Sequence, residues 1–176
     1  MNQNALTLIT VIRDDQSATI TSLLKDKKEA LNSALKSIGT VHYARFVIID
    51  STTINNELLP PQLVLSSNFD GEIDAHIQDL ATHLADLLDQ IYAHTLNYNP
   101  ADKAGFLRGI RIKEAAFYVG APGRSVKDIA NEKALHYEIA NQLQEGNWSG
   151  KSAQEIAAYT TKCERDNKKL RPSSTV

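Results

Sequence analysis

Alternating or continuous apolar runs along the chain predict a small number of β-strands. ALTLITVI at 5 to 12, bounded by the polar RDDQS, predicts the first strand, and VHYARFVIID at 41 to 50 predicts the second. The second run is largely apolar on both alternating faces, which is typical of a strand whose two faces are both covered. QLVLSSNF at 62 to 69 predicts a third strand and AAFYVG at 115 to 120 a fourth, while STTINNELLPP is predicted to be a loop.

Apolar residues at helical spacing predict two long amphipathic helices between these strands. The first, of about five or six turns, ends near Gly39, and the second follows the turn at Asp70-Gly71. The apolar stripe of the first helix comprises Ile20, Leu23, Leu24, Leu31, Leu35 and Ile38, and that of the second comprises Ile73, Ile77, Leu80, Leu84, Leu87, Leu88 and Ile91. Two further helices are predicted to begin at Ser125 and Ser152, each with an acidic residue three positions later in a capping box.

The order strand, helix, strand, strand, helix, strand predicts an α+β protein with a ferredoxin-like βαββαβ fold. Both long helices are expected on one face of a four-stranded antiparallel sheet, because crossover connections are right-handed. We assign residues 1–146 to this domain and residues 147–176 to a C-terminal helical extension with a frayed tail. The other sheet face is expected to be covered by a second copy of the chain or by the added helices, which would enclose a space for a ligand.

Composition narrows the functional classes. The formal charge is −2 with an isoelectric point near 6.2, and charges of both signs are interspersed, which does not favour nucleic-acid binding. The single cysteine, Cys163, excludes an internal disulfide and a multi-cysteine zinc site. With no signal peptide and no apolar segment of membrane-spanning length, the chain is expected to be cytoplasmic and not bound to a membrane.

The second strand carries two polar residues that need an explanation. Regular alternation places His42 on one face with Phe46, and Arg45 on the other with Tyr43. A buried guanidinium requires a partner, so Arg45 is expected to pair with a carboxylate or an anionic ligand, or to reach solvent at an edge of the sheet. His42 is either a hydrogen-bonded core histidine or a ligand-binding group.

Polar residues at the ends of other elements are weaker candidates. Asp70 is predicted to be the N-cap of the second long helix, and Asn68 could point into the same cavity as other polar groups at strand ends. His76, Asp79 and His83 share one helix face at metal-ligand spacing, yet a charged stripe is usually solvated, so no metal site is predicted. The IYAHTLNY cluster combines His94, an acid/base group, with the phenols of Tyr92 and Tyr98, and either structural packing or a site would explain it.

The remaining motifs argue against nucleotide binding and against a nucleophilic hydrolase. GAPGRS, before a predicted helix, could hold an anion but lacks a nucleotide-binding fingerprint. The chain has no nucleophile elbow, and Cys163 lies in a polar helix without an adjacent base.

Several segments together resemble a poorly characterised family of ferredoxin-like proteins of the dimeric α+β-barrel type. They are VHYARFVIID, LVLSSNFDG, AHTLNYNP and FLRGIRIKEAAFYVGAPGRSVKDI, spanning roughly residues 5 to 145, and similar segments occur beside haem peroxidase or lipoxygenase-type domains. The positions that this resemblance marks are His42, Arg45, Asn68, Asp70, His94, Tyr98 and Tyr118. The wider superfamily includes haem enzymes and cofactor-independent monooxygenases, so the resemblance implies redox chemistry or an apolar ligand.

These observations predict a homodimer that binds a small apolar or aromatic ligand in a cavity on the sheet face, associated with oxidative chemistry. The predicted catalytic residues are His42, Arg45 and His94, and the predicted ligand-binding residues are Tyr43, Asn68, Asp70, Tyr98 and Tyr118. Haem is the cofactor to test first, since a neutral histidine can be its axial ligand. The alternatives are a non-enzymatic dimerisation or partner-binding module, and a cofactor-independent monooxygenase acting on an activated phenol or quinol.

Overall fold

The computed structural model describes residues 2–145 and 152–169, and the described part is a mixed α+β structure. The strands are β1 (Gln3–Val11), β2 (Val41–Ile49), β3 (Thr52–Ile54), β4 (Glu57–Leu59), β5 (Gln62–Asp70) and β6 (Arg111–Ile112). The helices are α1 (Ser17–Asp26), α2 (Lys28–Ile38), α3 (Ile73–His83), α4 (Ala85–Tyr92), α5 (Lys103–Gly109), α6 (Val126–Glu145) and α7 (Ala153–Lys169).

A four-stranded antiparallel sheet with the order β2-β5-β1-β6 organises the fold. The three long strands lie close to the predicted runs, but the prediction of the fourth strand at 115 to 120 was wrong. The strand beside β1 is Arg111–Ile112, which follows α5 almost directly, whereas Phe117 and Tyr118 are exposed in an irregular segment. The β propensity of AAFYVG is not realised because the position beside β1 is taken by β6.

Each of the two long predicted helices is divided into two. Lys27 separates α1 from α2 and Leu84 separates α3 from α4, with backbone angles between helix and turn values at both residues. The predicted loop after β2 contains the β3–β4 hairpin. Its two-residue turn, Asn55-Asn56, has positive φ at both positions, a conformation that asparagine tolerates well.

One face of the sheet forms the hydrophobic core with the helices. The inward alternate residues are buried from Leu6 to Thr10 in β1 and from Leu63 to Phe69 in β5, as the 2-residue side-chain period of a strand requires. The core comprises Leu6, Leu8, Ile12, Ile20, Leu31, Leu63, Leu65, Phe69, Ile77, Leu80, Leu84, Leu88, Ile91, Tyr92, Phe106 and Leu107.

The opposite face of the sheet, here called the outer face, is half-buried to exposed along all four strands. By alternation and strand register its residues, of which Asp70 is buried, are Gln3, Ala5, Thr7, Ile9, Val11, Tyr43, Arg45, Val47, Ile49, Gln62, Val64, Ser66, Asn68, Asp70 and Ile112. This face provides the surface on which several predicted site residues meet.

Residue contacts divide the chain into two compact units, Asn2–Gly123 and a second unit that begins at Arg124. In the second unit α6 and α7 contact each other, and both predicted capping boxes are present. Asp128 N is 3.1 Å from the Ser125 hydroxyl that caps it, and the Ser152 backbone N–H donates to Glu155 at 2.8 Å. The predicted domain boundary at 146/147 and the predicted frayed tail lie outside the described residues.

Candidate functional site on the outer sheet face

A β-bulge at the start of β2 changes the direction of His42. Val41 is opposite Phe69 of β5 and Tyr43 is opposite Asn68, so two residues of β2 occupy the space of one residue of β5. The extra residue in a bulge breaks the alternation and re-aims a side chain. His42 therefore does not follow the alternation that its position in the sequence suggests.

A hydrogen bond locates the His42 side chain on the outer side of the sheet. Its Nε2–H donates to Asp70 Oδ1 at 2.8 Å, and the amide nitrogen of Gln3, itself a donor, lies 3.4 Å from the same Nε2 as a close neighbour. Gln3 and Asp70 are directly opposite each other in the β1–β5 pair, and Gln3 alternates in phase with Ala5 and the rest of the outer face. The prediction that His42 and Arg45 lie on opposite faces was therefore wrong, because the bulge turns His42 toward the face that carries Arg45.

The carboxylate of Asp70 orients the imidazole of His42. The Asp70 side chain is only 3% exposed, whereas the His42 side chain keeps 18% of its surface accessible. Since the carboxylate accepts a hydrogen bond, Nε2 of His42 carries the proton, and Nδ1 holds the lone pair in the neutral ring. The prediction of Asp70 as a helix N-cap was wrong: α3 is preceded by Glu72, and Asp70 is the last residue of β5.

Arg45 lies on the same face, further along the sheet. It is opposite Ser66, and the Asp70 that His42 contacts lies four residues further along β5, or about 13 Å of strand. Arg45 is exposed, and within residues 2–145 and 152–169 it makes no hydrogen bond or ion pair. Its positive charge is thus available to an anion that approaches the outer face.

The outer face has one polar end and one apolar end. The polar end comprises Gln3, His42, Tyr43, Asn68 and Asp70, with Arg45 at its border. Beyond Arg45 the face continues with the apolar Ile9, Val11, Val47, Ile49 and Val64, with Gln62 as the polar residue between Val11 and Ile49. Charge and apolar surface are thus separated along the length of the outer face.

Solvent also reaches the bulge along the edge of the sheet, because β2 is an edge strand. A groove of about 220 Å³ runs between α2 and the first residues of β2, and Lys36, His42 and Tyr43 are among its lining residues. The polar end of the outer face is therefore open at its side as well as above.

The other predicted site residues lie elsewhere. His94 follows α4, and its Nδ1–H donates to Gln16 at 2.8 Å, next to the contact between Thr95 and Ile12. Seven residues of β1 separate that contact from the row of the bulge, or about 23 Å along the strand. His94 thus does not belong to the group formed by His42 and Arg45.

Tyr98 and Tyr118 are also apart from this group. The Tyr98 hydroxyl donates to Asp89 at 2.5 Å, and its ring packs against Tyr92 and Phe106. Burial, reinforced by the hydrogen bond to Asp89, raises the pKa of Tyr98 well above its usual value, and the same bond lowers the pKa of Asp89. Tyr118 is 87% exposed in the irregular segment after β6.

The structure contains a second polar pair that the sequence did not predict. His76 is 2% exposed, stacks on Phe69 with 3.8 Å between ring centres, and has its Nε2 2.9 Å from the Ser67 hydroxyl. Burial lowers the pKa of His76 to about 4. His76 was expected on a solvated stripe with Asp79 and His83, and its spacing of three from Ile73 and four to Leu80 is the signal that places it in the core instead.

Within the part of the chain that the structure describes, no cluster of three or more His, Cys, Asp or Glu residues could hold a metal ion. Of the helices in that part, none combines the length and apolar character that crossing a bilayer requires. Comparisons of the chain with protein-family models, with curated proteins and with solved structures gave no match.

Proposed function

We propose that the outer sheet face binds a small, flat, apolar molecule that carries an anionic group. The observation that supports this most directly is the position of Arg45, a cation without a protein partner in the described residues, at the border between polar and apolar ends of one sheet face. The guanidinium would form a two-point hydrogen bond with a carboxylate or sulfonate. Tyr43 and Val47, which flank Arg45 on the same strand face, would contact the apolar body of the ligand.

A fluorescent probe of this chemistry tests the proposal. 8-Anilinonaphthalene-1-sulfonate combines an aromatic body with an anion, and N-phenyl-1-naphthylamine is a similar molecule without charge. Arg45→Gln is expected to weaken binding of the sulfonate about tenfold, equivalent to about 1.4 kcal/mol, and to change binding of the neutral probe little. Arg108→Gln is the matched control, because Arg108 is an exposed arginine on α5 that already pairs with Asp74.

Two results would overturn the proposal. One is equal sulfonate affinity in the wild type and Arg45→Gln, with circular dichroism confirming that both are folded. The other is an equal loss in Arg108→Gln, which would mean that the probe responds to net charge instead of to the outer face.

Haem is a member of this ligand class, and the residues of the polar end fit it. A histidine whose second ring nitrogen bonds to a carboxylate is a common arrangement for a metal ligand, and His42 and Asp70 have it. Arg45 would pair with a propionate. When bound, haem would supply redox chemistry at its iron. Apart from this fit, the proposed association of the chain with oxidative reactions rests on the resemblance alone.

A homodimer through the same face is the second candidate function, favoured by the exposure of Val47, Ile49 and Ile112. These residues lie away from the polar end, so a second copy could cover them while a ligand occupies the region around His42. Light scattering of the wild type and of Val47→Asp tests this: the dimer hypothesis requires a wild-type dimer that the charge dissociates.

We further infer a ferredoxin-like arrangement from the strand order β2-β5-β1-β6, in which helical segments separate β1 from β2 and β5 from β6 while the β3–β4 hairpin connects β2 to β5. A cytoplasmic location is inferred from the single cysteine of the sequence.

A further inference from the structure

The strand β2 leaves one edge of the four-stranded sheet without a neighbouring strand. It is the terminal strand in the order β2-β5-β1-β6, and within the described residues its backbone pairs with β5 alone. Along its nine residues, Val41–Ile49, alternate backbone N–H and C=O groups therefore face solvent. A free edge of this length, about 30 Å, is a template for the addition of another strand.

A groove beside this edge can receive a side chain of an added strand. The groove has a volume of about 220 Å³ and lies between α2 and the first residues of β2. Leu35 and Ala44 supply apolar lining, and Asn32 and Lys36 supply polar lining. Small-molecule sites usually have about 300–1,000 Å³, so this groove suits one side chain better than a whole ligand. Proteins that bind peptides by strand addition combine such a pocket with a free edge.

The chain also contains a strand-forming segment that has no strand partner. Residues 114–119, EAAFYV, include two aromatic residues and a valine, which favour strands, yet they are irregular in the structure. Within the described part of the chain they make no backbone hydrogen bond. Phe117 is 41% exposed and Tyr118 is 87% exposed. The backbone groups and the aromatic side chains of this segment are therefore open to a partner.

We propose that residues 114–119 of one copy of the chain add to the free edge of β2 in a second copy. The segment and the edge each have backbone hydrogen-bonding groups without a protein partner, and a strand ladder between two copies satisfies both. The contact uses the edge of β2 and not Arg45. It therefore goes beyond the proposed ligand site on the outer face.

The side chains on both faces of the added strand match the surfaces beside β2. Alternation places Tyr118 and Glu114 on one face and Phe117 on the other. On the helix side, the ring of Tyr118 enters the groove and its hydroxyl reaches the polar lining. On the outer side, Phe117 lies beside Tyr43, which is half exposed.

Opposite charges also meet on the helix side. Lys36 is exposed, and within the described residues it makes no ion pair. The carboxylate of Glu114 bonds to Arg111 through one oxygen, and its other oxygen is enclosed without a partner among the described residues. Strand addition gives that oxygen a partner in Lys36 of the second copy.

The contact is head-to-tail, because its two surfaces belong to opposite ends of the sheet. The segment follows β6 directly, and β2 is the last strand at the other end. Each copy can donate one segment and accept another, so association continues beyond two copies as a chain or a ring. One short strand buries little area, and we expect a dissociation constant of about 10–100 µM.

A fluorescein-labelled peptide of residues 113–122 tests the strand addition by fluorescence anisotropy against the full chain. Successive N–H groups of a strand point to opposite sides, so either Ala116→Pro or Phe117→Pro removes an N–H that bonds to β2. At least one of these two peptides should therefore bind about tenfold more weakly than the unmodified peptide.

A charge exchange tests the orientation of the segment on the helix side. Lys36→Glu in the protein should weaken binding of the unmodified peptide about threefold, and Glu114→Lys in the peptide should restore it. Lys28→Glu is the matched control, because it makes the same charge change at an exposed residue of α2 outside the groove. It should leave the affinity for both peptides unchanged.

Sedimentation velocity tests the same contact between full chains. Between about 5 and about 500 µM, a range that includes the expected dissociation constant, the average mass of the wild type should rise past that of a dimer. Tyr118→Asp should keep the chain monomeric over most of this range, and since Tyr118 is exposed, the fold should not change. Tyr137→Asp, at an exposed tyrosine of α6, is the control and should associate as the wild type does.

Four results would overturn the proposal. The first is equal binding of the unmodified peptide and both proline peptides, which excludes a backbone ladder. The second is an equal loss in Lys36→Glu and Lys28→Glu, which means that the peptide responds to net charge. The third is a chain that stays monomeric although the peptide binds, which means that the edge accepts a strand from another protein. The fourth is association that Tyr118→Asp leaves intact, which assigns it to another surface.

Discussion

The buried Ser67–His76 pair should make the folding stability of this chain fall in mild acid. His76 is enclosed between Phe69 and the core, and no described residue bonds to its Nδ1. Protonation would place a charged N–H there without an acceptor. Burial therefore lowers the pKa of His76 from 6.5 to about 4.

The direction of the pH effect depends on whether the folded or the unfolded chain binds the proton on His76 more tightly. The unfolded chain takes up a proton on His76 near pH 6.5, whereas the folded chain resists protonation until about pH 4. Stability from this group is therefore complete above pH 6.5, decreases as the pH falls, and levels off below about pH 4. The full difference corresponds to about 3 kcal/mol, and the loss between about pH 7.5 and about pH 5 to about 2 kcal/mol.

A double substitution isolates this contribution from that of other titrating groups. Ser67→Ala with His76→Phe removes both hydrogen-bonding groups and keeps a ring against Phe69, so no buried polar atom loses its partner. The free energy of unfolding is measured with urea at about pH 7.5 and about pH 5. Between these two pH values it should fall by about 2 kcal/mol more in the wild type than in the variant. Equal losses in the two proteins would refute the reasoning, because His76 would then titrate normally in the folded chain.

Two further predictions concern side chains outside this pair. Tyr98→Phe should lower the free energy of unfolding by about 1 kcal/mol, because it removes the hydrogen bond to Asp89 and leaves the aromatic packing; an unchanged urea midpoint would contradict this. Added haemin should give a Soret shift that His42→Ala removes and His94→Ala leaves intact, because the two histidines lie at opposite ends of the sheet. A Soret shift that depends on His94 would contradict the assignment of the site.

Local sequence patterns were sufficient for much of the fold. QLVLSSNF was predicted to be a strand, and in the structure its period of two puts Leu63, Leu65 and Phe69 on the inner face, where all three are buried. The capping residues Ser125 and Ser152 begin their helices as predicted. Such features depend on residues close together in the chain, so the sequence contains the information directly.

The candidate site was predicted only in part. Arg45, Tyr43 and Asn68 share a face because alternation requires it, and the sequence indicated this for the two residues of β2. The pairing of His42 with Asp70 was not predicted, because it depends on a bulge defined by the register of β2 against β5. The sequence also did not indicate that His94 lies far from His42, because that separation depends on which strand end α4 reaches in the tertiary structure.

What the sequence by itself determined is the alternation of apolar residues, and with it the three long strands and the apolar stripes of the helical segments between them. Only the tertiary structure decided where His42 points, which segment pairs with β1, and that His76 is enclosed in the core. Those outcomes depend on contacts between residues far apart in the chain, whose energies are comparable with local preferences and can override them. The chemistry of the outer face depends on one such contact, between the first residues of β2 and the last residue of β5.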